Sequence, residues 1–497
     1  MNRSRVALSL ALTAFSAIGA TAYADATDTN LWPIKTERHD PAAGVHQQTG
    51  LGPFIQSAVD DKGGETFIFR PFYLYRRSAD GRHEETDILY PFFFYRTDGD
   101  FWRWSIFNLI NRESPHSKNG TASDAKGFDV WPFWFSRNTG NPDTSYQALF
   151  PIQGPMKHRL GYERIDWTLF PLFFRLEDTK RVSTYTPWPF FKTIKGTGTQ
   201  ESGWSLWPLA GHRAEPGKSH TDYVVWPLLY RSTTHMDEAV PDVREGFIPL
   251  YTRATGEGYR SETYLWPFFG WSERTVPYVY KEHRYLYPLW IQGSGNDRTV
   301  NRWAPFYTHS VKSGVDKTWV LWPLWRDATW REAGLDQHKS QFLYFLYWNL
   351  EQRKPGAPAN APTASKTHLW PLFSHWDNGA GRTQTQVLSP IEVFLQHNDQ
   401  ARLLWTPFFA LYRSETQAPG QSRGSLLWNA VTWSNNAPAA TKSFRLGPLY
   451  ASDRSPDAGR IALLGGLLAW HRDASGAWAF TPADFRKTPA QPETHHP

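Results

Sequence analysis

The chain has no cysteine among its 497 residues. That excludes disulfides, thiolate metal sites and cysteine nucleophiles. After the first twenty residues no run is apolar for long enough to form a membrane-crossing helix, so any integration into a bilayer must use β-strands. Charge of one sign is scarce as well. The net charge is +6 at pH 7, spread along the chain with no Lys/Arg block, which excludes the nucleic-acid-binding classes. Catalytic signatures are also missing: there is no G-x-S-x-G elbow, P-loop, H-E-x-x-H or dinucleotide glycine fingerprint. The fragment His83-Glu84-Glu85 lacks a second histidine, and Gly293 to Asp297 is better explained as a turn. Paired acids such as Asp60-Asp61, Glu84-Glu85 and Asp237-Glu238 fall in expected loops, without the spatial separation that glycoside hydrolysis requires. The sequence therefore predicts no catalytic centre, no cofactor and no metal site. The His495-His496 pair lies on an expected disordered tail.

What the chain has in abundance is aromatic residues: 26 Trp, 22 Tyr and 32 Phe. Charged residues make up 20% and hydrophobics 40%, so this is not a disordered polyelectrolyte. The aromatics are organised. An apolar residue, an aromatic, a proline and further large apolar residues recur as one phrase, in Leu89-Tyr90-Pro91-Phe92, Val130-Trp131-Pro132-Phe133 and Leu206-Trp207-Pro208-Leu209. It returns in Val225-Trp226-Pro227-Leu228, Leu265-Trp266-Pro267-Phe268, Leu321-Trp322-Pro323-Leu324 and Leu369-Trp370-Pro371-Leu372. Eight of the 26 tryptophans directly precede proline, which chance composition does not give. Weaker copies keep the proline and lose the aromatic, as at Arg70-Pro71 and Thr406-Pro407; others lose the proline, around Asn108, Phe345, Asn429 and Gly466.

Successive copies lie about 20 residues apart, a spacing that fits one long strand plus its turn in a β-meander. Asp80-Gly81, Asp98-Gly99, Asn138-Thr139-Gly140 and Asp377-Asn378-Gly379 supply turn chemistry between them. No helical periodicity is evident, and regularly spaced prolines would break any long helix. The fold class expected is all-β, an up-and-down meander of roughly 20–22 strands. A closed outer-membrane-type β-barrel is the first architecture, with a multi-blade β-propeller or another sheet array as the alternative. Two observations sit badly with these expectations. The segment Asp87 to Arg96 is apolar on both faces through its middle, unlike a porin strand, and a mid-strand proline removes a ladder hydrogen bond.

Residues 1–24 predict a secretory signal: Arg3 and Arg5, a small-residue apolar stretch, then the A-x-A site Ala22-Tyr23-Ala24. Its removal would lower the net charge from +6 to +4. The expected organisation is a signal at 1–24, an extension at 25–65, the repeat domain at 66–481 and a polar tail at 482–497. The expected role is that of a non-catalytic, exported bacterial envelope protein in the outer membrane of a Gram-negative cell: a channel, export component or structural protein. The alternative is a soluble periplasmic or extracellular propeller that binds, or less readily hydrolyses, glycans. Expected partners are outer-membrane lipid or lipopolysaccharide, with a glycan or apolar ligand as the other occupant of exposed aromatics. The Trp–Pro pairs read first as the core of each strand. The arginines that follow the apolar runs, among them Arg76, Arg96, Arg231 and Arg413, would either meet lipopolysaccharide phosphates at a rim or snorkel at strand ends.

Overall fold

A computed structural model describes residues 29–40, 44–114, 126–358, 360–395 and 398–485. The signal segment, the His495-His496 pair and most of the polar tail lie outside the described residues. The described residues form 45 strands, almost all antiparallel neighbours in sequence order, in sheets of 13 and 32 strands. The all-β meander expected from the repeat is what the chain adopts. Neither sheet is closed by strand pairing, and the strands run in two continuous sheets rather than in separate four-stranded blades. The meander also begins earlier than expected. Strands at Thr29–Leu31, Lys35–Asp40, Val45–Gly50 and Ile55–Asp60 place the supposed extension in the same sheet as the repeat.

The strand number corrects the expectation of 20–22, and the reason is local. Each period holds a whole hairpin. Ser219–Val224 and Leu229–Thr234 pair directly, joined by the phrase Val225-Trp226-Pro227-Leu228 as a turn. Leu228 N–H donates to the Val225 carbonyl at 2.7 Å, and the Trp226–Pro227 peptide is cis. The same turn forms at Leu265 to Phe268 and at Leu321 to Leu324. Proline therefore does not interrupt a strand. It sits in a turn where no ladder donor is required, the position a cis proline takes in type VI turns. Neighbouring turns are bonded to one another, Trp226 N–H to Pro208 O at 2.6 Å and Trp322 N–H to Pro305 O at 2.7 Å. All aromatic–proline turns consequently line one rim. At the opposite rim the hairpins close through turns such as Asp80-Gly81 and Asp98-Gly99, whose glycines have φ of +66° and +60°, a region that favours Gly. Where proline is lost, residues of positive φ make the rim turn instead, as at Phe107-Asn108 and Leu427-Trp428-Asn429.

The two sheets meet at Gly154 to Tyr162, a place where the repeat is interrupted. Gln153 bridges Leu149 on one side and Thr168 on the other. Behind it lies a core of Phe135, Tyr146, Ala148, Met156, Ile165 and Trp167. Trp167 is 2% exposed and its indole donates to Leu149 O at 3.2 Å. Gly154 packs so tightly on this ring that a Cβ there would lie 2.8 Å from it. Arg159 clamps Asp129 across the junction with two bonds of 2.8 and 2.7 Å.

A helix, Asp399–Phe409, departs from the all-strand expectation. Asn398 caps it, accepting from Ala401 N–H at 2.8 Å. The copy at Thr406-Pro407 is thus not a rim turn but part of the last helical turn. Pro407 cannot donate to Leu403 O, four residues back. The guanidinium of Arg70, far away in sequence, takes that carbonyl at 2.9 Å. Leu404 closes a second core with Ile68 and Leu74, so the helix ties the first strands of the chain to the last third. The first strand reaches the last third as well, where Asn30 donates to Asn429 O at 2.7 Å.

Candidate functional site

Two places combine unusual chemistry with position: the aromatic–proline rim and the seam around the helix. At the rim, the tryptophans read as strand core are not core. Trp131, Trp207, Trp226, Trp266 and Trp322 are 43–57% exposed, and each precedes its partner, Pro132, Pro208, Pro227, Pro267 or Pro323, in a cis turn. Trp370, before Pro371, is partly covered by Phe345 and Phe394. The physical reason is the hairpin: a residue in a turn has no sheet face to bury it. Trp226 lies against Tyr223 and Tyr230, at 5.6 Å from each, and leaves the remainder of its indole to solvent. The apolar character continues one residue into each strand on the outward face. There Val224, Leu229, Phe247, Tyr264 and Phe269 are exposed in cross-strand register.

Above this ring the outward face turns polar at once. Asp222, Arg231, Glu245, Arg253 and Glu262 stand opposite one another on five successive strands with alternating sign. On the other face Arg76 and Arg96 bracket Glu85 at 3.1 and 3.0 Å. Arg76, Arg96, Arg231 and Arg413, expected at a rim, lie within strands and pair with neighbouring acids, so strand-end snorkelling is not their arrangement. Strands of mostly 5–6 residues span about 17–20 Å. A membrane strand needs about 9–11 residues with an apolar outward face.

At the seam, the inward faces of the first strands and the last third enclose a cavity of about 490 Å³. Arg38, Arg70, Arg76, Arg402, Arg413 and Arg423 line it, with Glu392, Asp399 and Glu415. Arg70 is 1% exposed and bonds Leu403 O, Pro53 O and Gln56. Burial first, then the charge of Arg413, lowers its guanidinium to about 9. Burial would raise the Glu415 carboxyl, but Arg413 at 2.6 Å and Arg423 at 2.8 Å outweigh it and hold it near 2. Arg402 pairs with Glu392 at 3.3 Å. Arg76, Arg402, Arg413 and Arg423 are engaged in ion pairs and Arg70 in bonds to carbonyls, which makes the cavity a polar seam between the first strands and the last third. Beside it Asp87 is fully buried, and burial, then Glu85, pushes its carboxyl up to about 6.

Of the sequence fragments, His83 pairs with Asp98 at 3.3 Å, Glu84 pairs with Arg77, and Gly295 to Asp297 makes a hairpin turn. One Ser–His contact has no signature in the sequence. Ser374 Oγ lies 2.6 Å from His368 Nδ1 and 2.6 Å from Ser389 Oγ. All three are sealed from solvent, and burial, then Lys366 and Lys339, lowers the imidazole to about 3. So depressed an imidazole is a poor general base near neutrality. No protein-family model matches this chain, and no curated protein matches its sequence.

Proposed function

We propose that the protein is an exported envelope protein that seats its aromatic–proline rim in the surface of the outer membrane, as a non-catalytic structural or export scaffold. The observation that carries this is the exposed apolar ring at one rim, bounded immediately by charged ladders. Tryptophan and tyrosine favour the headgroup level, where one end of the ring is apolar and the other wet. Rim turns plus one strand residue give a depth suited to the roughly 5–10 Å of interfacial insertion. The strands then stand in water, where their ion pairs cost no transfer into hydrocarbon. The role expected for lipid is kept, and the mode of contact becomes rim seating instead of strand spanning.

Flotation with phospholipid vesicles tests the reading. The wild-type chain should float with the vesicles, and Phe268→Lys combined with Leu324→Lys should leave it at the bottom of the gradient with unchanged circular dichroism. Recovery in a detergent-free soluble fraction without vesicle association would sink the proposal. Discrete conductance steps in a planar bilayer would instead favour a spanning channel.

A further inference from the structure

We infer that the outward face carries a binding site for one first-row divalent cation of the zinc class, held by His212, His220 and Asp222. The hairpin Ala210–Glu215 and Ser219–Val224 creates the cluster. His212 and Asp222 are direct cross-strand partners, and His220 precedes Asp222 by two residues, so all three side chains share a face. His212 Nδ1 lies 2.8 Å from one Asp222 oxygen, and His220 Nε2 lies 2.5 Å from the other. The three donor atoms fall within 4.8 Å of one another. A zinc ion binds imidazole nitrogen and carboxylate oxygen at about 2.0–2.2 Å. It would therefore occupy the space between these donors after small side-chain rotations, taking the place of the protons now shared with the carboxylate.

The donor set suits this class of metal. Neutral imidazoles select zinc, copper or nickel over magnesium and calcium, which favour all-oxygen shells. Three protein ligands leave a fourth position for water. Partial exposure of His212, His220 and Asp222, at 38–47% of each side chain, gives the ion an entry path. The hairpin is braced at its tip by Lys218 paired with Glu215 at 2.9 Å. Arg231 faces Asp222 from the next strand and would oppose a cation, but it is also within 4.0 Å of Glu245. Trp204 flanks His212 and Thr233 flanks His220, and neither adds charge.

The test is calorimetric titration of the tag-free full-length chain with zinc chloride, in a background carrying His495→Ala and His496→Ala to silence the tail. One saturable site is expected, together with a zinc-dependent rise in melting temperature and tetrahedral visible absorption when cobalt replaces zinc. His212→Ala, His220→Ala and Asp222→Asn should each abolish all three signals while circular dichroism stays that of the parent. Absence of saturable binding in the parent would overturn the site. So would binding that persists unchanged in His212→Ala and His220→Ala.

Discussion

The same dipeptide pattern does opposite things at the rim and at the seam. At Trp226-Pro227 the proline lies in an exposed turn, where its missing N–H leaves nothing unsatisfied. At Thr406-Pro407 it lies inside a helix, where the missing N–H orphans the carbonyl of Leu403, and a buried arginine from the other end of the chain fills the gap. The repeat thus tolerates substitution at the rim by construction. The seam depends on particular partners, since a buried carbonyl without one costs the full desolvation of that group.

Replacing a tryptophan at the sheet junction should have the largest effect. Trp167→Ala removes a ring that is 2% exposed and braced by Gly154, and should cost about 3–5 kcal/mol by urea denaturation. A loss under about 1 kcal/mol would mean the junction is not a packed core. Next comes the seam. Arg70→Met leaves the carbonyls of Leu403 and Pro53 without their donor. The expected cost is about 3 kcal/mol, with faster proteolysis within 399–409. Unchanged stability would show that the helix does not rely on this bond.

Asp87 sharpens the comparison through pH. Its carboxyl, raised from 3.8 to about 6 chiefly by burial, favours the neutral form in the folded chain. The stability it allows is therefore fully present below about 4 and is lost as pH rises through about 6. Asp87→Asn should stabilise the chain by about 2–3 kcal/mol at pH 8 relative to its effect at pH 4. Parallel pH profiles for the two proteins would contradict the assignment.

The meander is legible because turn chemistry such as Asp80-Gly81 recurs between copies of a phrase about 20 residues apart. What the sequence does not reveal is that Tyr90-Pro91 is itself a hairpin end. Read with proline inside the strand, Leu89 to Phe92 hides the second reversal, and the strand count halves. The helix is hidden in the sequence because Asp399–Phe409 carries three aromatics and a proline, and the Asn398 cap and the Arg70 bond that hold it show only in the fold. The His212, His220 and Asp222 cluster was invisible for a related reason. Its spacing means nothing until Ala210 is known to pair with Val224. Once that register is given, the histidines and the aspartate fall on one face without further information.

The smallest effect on stability is expected where the sequence alone suggested a large one. As strand core, Trp226 would cost about 3–5 kcal/mol on truncation to Ala. In the turn it is 45% exposed and touches Tyr223 and Tyr230 from one side. Only the covered half of its apolar surface is lost from burial, so Trp226→Ala and Trp266→Ala should each cost about 2 kcal/mol or less. Their binding phenotype should be the reverse of their folding phenotype. Each exposed indole lost from the ring weakens attachment to the membrane surface, so the double variant should float poorly with vesicles while melting near the wild-type temperature. A pair that melts far below wild type would return these tryptophans to the core. A pair that melts and floats like wild type would strip the rim tryptophans of both roles.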